Sequence, residues 1–141
     1  MAQGAFARCD SLATVKFNEG LEVLGTDEHS DDDFFDELCG VFQRSAVERV
    51  ELPSTLKRIE YRAFKKCMSL KEIILPERLE YVGDYCFYDS GLEEITLPGA
   101  LKEVGNGLFT GCELLRTIWV EDGCEIDVGE YAENGVNVRR K

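Results

Sequence analysis

The sequence predicts an α/β solenoid of about five short coils, with parallel strands on one face and short helical or 3₁₀ turns at the opposite corner. Three observations carry this. Phe42, Phe64, Phe87 and Phe109 recur at intervals of 22, 23 and 22 residues, and Phe6 opens an earlier copy. The apolar series after each phenylalanine also repeats: Leu70, Ile73, Leu75, Leu79 and Val82 correspond to Val47, Val50, Leu52, Leu56 and Ile59 before them, and to Leu92, Ile95, Leu97, Leu101 and Val104 after them. Pro53, Pro76 and Pro98 hold a single phase. A unit this short cannot bury its own apolar set, so each must pack on the next.

Each element follows from residue chemistry. Ile95, Thr96 and Leu97 alternate as a half-buried strand does, with Ile95 and Leu97 inward. Proline closes that strand because it has no N–H for the ladder and a fixed φ that turns the chain away. Leu101 to Val104 reads as a second short extended piece on another face, and Tyr61 to Cys67 as one helical or 3₁₀ turn around Phe64. Coil length alternates: Cys9, Cys67 and Cys112 mark the longer form and Ser45 and Ser90 the shorter, with one residue deleted before the strand. The fifth copy loses its proline and drifts out of phase near Cys124.

Ala63-Phe64-Lys65-Lys66-Cys67-Met68-Ser69-Leu70, continuing through Ile73, Leu75 and Pro76, resembles the BspA-like leucine-rich repeat, and the likeness covers most of the chain. The resemblance implies a right-handed, horseshoe-like solenoid with one parallel sheet along its concave side. It also implies binding to other macromolecules, often at a cell surface or in secreted proteins. The insertion after Gly25 and the irregular end after Val120 depart from the pattern.

The 141 residues form one domain, 1–141, and the chain carries a net charge of −12. That charge repels phosphate backbones and anionic headgroups, so nucleic acid is not an expected partner. No apolar run approaches the ~20 residues of a membrane span, and Met1 to Ser11 has no signal-peptide pattern. The first coil opens without a polar cap, which predicts a fragment of a longer array or a first layer covered by another chain. Val136-Asn137-Val138 reads as a closing strand, followed by a solvated basic stop at Arg139-Arg140-Lys141.

Phe42 follows Gly25 by 17 residues where Phe87 follows Gly83 by four, an insertion of 13 at a coil corner, occupying about 26–39. Its seven acidic residues, with no basic one, read as a solvated loop. An EF-hand started at Asp27 puts Asp32 where glycine belongs and Leu38 where glutamate belongs, so that reading fails and weak, nonspecific cation binding is its alternative. Phe34 and Phe35 are expected to fold back as a local plug.

The six cysteines contain no Cys-x-x-Cys pair. Cys67 and Cys112 lie two coils apart with Ser90 between them, so their Cα atoms should be about 9.6 Å apart at the parallel-strand spacing. A disulfide needs less than about 7 Å. Cys9, Cys67 and Cys112 are therefore expected to be small buried fillers, and Cys39 and Cys86, also two coils apart, to stay reduced. Cys124 is less constrained. One histidine, His29, lies in the acidic insertion with no companion nucleophile, and Gly25, Gly83 and Gly105 share a turn phase rather than a phosphate loop. No catalytic residue, metal or cofactor is expected.

The strand register gives two outward columns on the concave face. Thr14, Arg49, Glu72, Glu94 and Thr117 form one; Lys16, Glu51, Ile74, Thr96 and Trp119 form the other. Ile74 and Trp119 are large apolar side chains at solvent-facing positions, where interface energy tends to concentrate. The expected function is a non-catalytic module binding a protein or peptide there, with Glu51, Glu72 and Glu94 favouring a basic partner. Trp119 packed under a C-terminal cap is the alternative for that residue. For the whole chain, the alternative is a structural spacer that self-associates end to end.

Overall fold

The computed structural model describes residues 4–26 and 40–141. Successive coils lie on one another in register along three edges. The first edge carries the longer strands: β1 (Thr14–Lys16), β3 (Arg49–Glu51), β6 (Glu94–Leu97), β8 (Thr117–Val120) and β9 (Asn137–Arg140). β1 pairs parallel with β3, β6 with β8, and β8 with β9. The second edge is an unbroken four-strand ribbon, in the order β2 (Val23–Leu24), β4 (Arg58–Ile59), β5 (Tyr81–Val82) and β7 (Glu103–Val104). Its last member is the second extended piece expected at Leu101 to Val104.

Inward positions of the repeat fill one continuous core. Ile95, Leu97, Ile118 and Val120 are buried on one side of the long strands, and Leu56, Leu79 and Leu101 follow them at the turn. The prolines close those strands with a turn: Leu56 N–H donates to Pro53 O, Leu79 to Pro76 and Leu101 to Pro98. Cys124 N–H donates to Glu121 O in the same way, so the fifth coil keeps this turn without its proline.

The third edge, at the phenylalanines, differs from expectation. None of the five phenylalanine corners is a helical or 3₁₀ turn. Phe6, Phe42, Phe64, Phe87 and Phe109 each open a tight turn in which the residue three positions on donates back to the phenylalanine carbonyl. The third residue of these turns takes a left-handed φ, at Arg8, Arg44, Lys66, Asp89 and Gly111. That conformation stops helix propagation and aims the flanking amides at the next coil. Phe42 N–H thus reaches Ala63 O and Arg44 reaches Lys65 O; Phe64 reaches Cys86 O and Lys66 reaches Tyr88 O. The rings form a spine, with centroids 5.2 Å apart for Phe6 and Phe42, 5.3 Å for Phe42 and Phe64, 5.5 Å for Phe64 and Phe87, and 5.9 Å for Phe87 and Phe109.

The end after Val120 is more regular than its sequence suggests. Tyr131 takes the next ring position, edge-on to Phe109 at 5.4 Å, from a short helix, α1 (Gly129–Glu133). The predicted closing strand is β9, and it runs on through Arg139 and Arg140, whose side chains are solvated as expected. A sixth coil therefore follows the five counted by phenylalanine.

The described cysteines stay unpaired as spacing implied, but Cys9, in the first coil, is not the buried filler expected. Cys9, Cys67, Cys86, Cys112 and Cys124 are all free, and all but Cys9 are buried. They are more than filler: the Cys67 thiol donates to Phe42 O at 3.0 Å and the Cys112 thiol to Phe87 O at 2.9 Å, each tying its coil to the one before. Burial pushes the Cys67 thiol up to about 12 and also raises Cys86 and Cys112. Cys39, His29, Phe34, Phe35 and the acidic residues of the insertion lie outside the described residues.

Candidate binding surface

The outward columns sit where the register placed them. Thr14 pairs with Arg49 and Lys16 with Glu51; Glu94 pairs with Thr117 and Thr96 with Trp119. Alternation buries the residues between them, and Ile73 and Leu75 point inward while Glu72 and Ile74 face solvent. Ile74 is the most exposed large apolar residue among those described, at 85%.

The columns are not a uniform surface. Glu51 is held by Lys16 at 3.6 Å, and Glu94 accepts the Trp119 indole N–H. Trp119 is half-buried, with the Arg139 guanidinium 5.9 Å and the Lys141 ammonium 5.5 Å from its ring centre. The tryptophan thus stands beside the closing strand, at one end of the face, and Ile74 stands in the middle of it. Glu72 and Arg49 have no ion-pair partner among the described residues.

At Ile74 itself the sheet is interrupted. Glu72, Ile73, Ile74 and Leu75 occupy the strand phase of the third coil, yet none makes a backbone hydrogen bond to either neighbouring coil among the described residues. A cleft of about 1440 Å³ opens between β3 and this segment, and a smaller one of about 280 Å³ lies on the β6 side. Coil length does not explain the break, because β1 with β3 and β6 with β8 also join a longer coil to a shorter one. No pattern in the sequence signalled it.

A second strip lies across the tyrosines of the middle coils, which the sequence reading did not single out. Tyr61 and Tyr85 meet edge-on at 6.3 Å and Tyr85 and Tyr88 at 5.8 Å, with Arg62 4.6 Å above Tyr61 and Lys65 5.3 Å from Tyr88. These cations already face rings, so the strip reads as surface packing. No group of three or more His, Cys, Asp or Glu able to hold a metal occurs among the described residues, and no helix there is long and apolar enough to cross a membrane.

The repeat, its buried phase and its three ladders agree with a family match: residues 39–138 fit the BspA type leucine rich repeat region in six copies. The chain belongs to the BspA-type leucine-rich repeat family. No curated protein matches it. Among solved structures, this leucine-rich repeat chain is similar to the T. pallidum leucine rich repeat protein, at 27% identity and a TM-score of 0.72, covering 99% of this chain and 61% of that one. It shares its fold with a leucine rich cell surface protein from Faecalibacterium prausnitzii A2-165, at 20% identity and a TM-score of 0.63, over 97% of this chain and 32% of that one. A leucine-rich repeat protein from Bacteroides ovatus ATCC 8483 has 23% identity and a TM-score of 0.53, over 92% and 37%. The chain therefore spans about three-fifths of the first structure and about a third of the other two.

Proposed function

We propose that this leucine-rich repeat chain is a non-catalytic recognition module that binds a protein or peptide along its long-strand face. The observation that carries the reading is Ile74, an 85% exposed isoleucine at the centre of that face, beside a cleft and among charged columns. Desolvating such a side chain is favourable only when a partner covers it. Trp119 and Thr96 extend the contact toward β9, and Arg49, Glu51, Glu72, Glu94 and Thr117 supply the polar surround. The family's repeats build surfaces rather than reaction centres, and the chain's net charge of −12 favours basic partners.

Selection of peptides from a random display library on the immobilised protein, followed by affinity measurement, tests this. The Ile74→Ala, Trp119→Ala double variant should lose at least tenfold in affinity, about 1.4 kcal/mol, with an unchanged melting temperature. Selected peptides that bind the double variant as tightly as the parent would overturn the reading. A clear drop in melting temperature for Trp119→Ala alone would assign that residue to the cap formed with Arg139 and Lys141.

A further inference from the structure

We propose that the opening between β3 and Glu72–Leu75 is a strand-accepting slot, entered by an extended partner segment in which basic and apolar residues alternate. The inference rests on the recognition role above and specifies how the partner is held.

The backbone is the first argument. Arg49 N–H donates to Ala13 O, and Glu51 O accepts from Phe17 N–H, so both residues spend their main-chain groups on β1. The alternation of a parallel strand then turns the N–H and C=O of Val50 to the opposite edge, toward the cleft. Across it, the four residues 72–75 make no described backbone bond. Two strand edges with unspent donors and acceptors thus face one opening, the arrangement that strand addition uses. Meanwhile the same two coils stay joined elsewhere, through Arg58 and Ile59 of β4 paired with Tyr81 and Val82, and through Phe42 N–H on Ala63 O. The opening is therefore held apart by a closed frame.

The floor and rim specify the guest. Val50, Ile73 and Leu75 are 6%, 5% and 8% exposed, whereas the equivalent Ile95, Leu97, Ile118 and Val120 are at 2% or below. Away from the terminal strands, where Val15 and Val138 are half-buried, the core edge shows most in the slot, so inward guest side chains meet apolar atoms. Outward ones meet an acidic rim: five glutamates line the cleft against three cations, and Glu48, Glu72 and Glu77 have no ion pair among the described residues. The volume, about 1440 Å³, exceeds the ~300–1,000 Å³ of a small-molecule pocket, which favours a length of chain over a metabolite.

The test uses an acetylated, amidated peptide of three Lys-Val repeats, its Glu-Val counterpart, and a Lys-Val version N-methylated at alternate residues. Amide hydrogen exchange by NMR reports on the free and mixed protein. In the free protein the amides of Val50 and Glu72 to Leu75 should exchange much faster than those of Phe42, Phe64 and Ile118. The Lys-Val peptide should slow those of Val50, Glu72 and Ile74 at least tenfold and leave Ile73 and Leu75, whose amides alternate toward β6, fast, while the Glu-Val and N-methylated peptides bind at least tenfold more weakly. Three results overturn the slot: protection of these amides before any peptide is added, equal binding by the N-methylated peptide, or no binding of the Lys-Val peptide at millimolar concentration. Display-selected peptides that bind through Ile74 and Trp119 without protecting Val50 would sink strand addition and leave the recognition role standing.

Discussion

The phenylalanine corner and the long-strand face are made by the same repeats, yet one is closed along its whole length and the other is open at the third coil. At the corner, the turns at Phe6, Phe42 and Phe64 each deliver two amides to the following coil and the five phenylalanine rings stack in sequence, so backbone and side chain enforce one spacing. On the strand face the side chains of Ile73 and Leu75 keep their inward phase although their backbone has no partner. Apolar burial therefore sets the phase of a coil, and hydrogen bonding alone does not. The corner can hold adjacent coils together while the strands between them part.

This contrast predicts a graded response to substitution. Ile73→Asp should abolish folding, because an unpaired carboxylate would replace a side chain sealed into the core; a normal far-ultraviolet circular dichroism spectrum would contradict the inward phase. Phe64→Ala, which removes the middle of the ring spine, should cost about 3–5 kcal/mol in urea unfolding.

Gly83→Ala comes next, at about 1–3 kcal/mol from overpacking, since a Cβ at Gly83 would lie 2.6 Å from the Tyr61 amide nitrogen in the preceding coil. Gly25 shares that phase but needs glycine for a different reason, its φ of +98°. Ile74→Ala should change stability by less than about 0.5 kcal/mol, and a larger loss would mean that the open face is packed after all.

A pH titration sharpens the same comparison. Desolvation raises the buried Cys67 thiol to about 12 from an ordinary value of 9.0, and the Tyr131 phenol to about 12 from 10.0. Groups kept neutral by folding contribute stability that is complete below their unfolded values and is lost as pH rises toward the folded ones. Melting temperature should therefore fall between about pH 9 and pH 12, with Cys67→Ser flattening the lower part of the decline. Alkylation of the buried thiols at neutral pH should be slow in the folded protein and fast in urea.

Much of this architecture was legible in the chain. The spacing of Phe42, Phe64, Phe87 and Phe109, with the apolar phases between them, placed the strands, their inward residues and the pairing of Thr96 with Trp119. It also kept the cysteines apart. The corner turn was hidden because its left-handed position is filled by Arg8, Arg44, Lys66 and Asp89 and only once by glycine, at Gly111. The sixth coil was hidden because Tyr131 replaces the phenylalanine, and Glu121 and Cys124 replace the proline and leucine of the turn before it. The interruption at 72–75 left no trace, since it depends on how far two backbones stand apart and not on which residues they carry.

The ring spine and the second-edge ribbon both run uninterrupted past the third coil, while the inner strands do not. Pulled along its axis, such a stack would stretch unevenly, yielding first between Val50 and Ile73 and flexing about the aromatic column as a book opens on its binding. A tether drawn through this protein would thus carry a built-in weak seam, one whose give could be felt at low force well before any whole coil came loose.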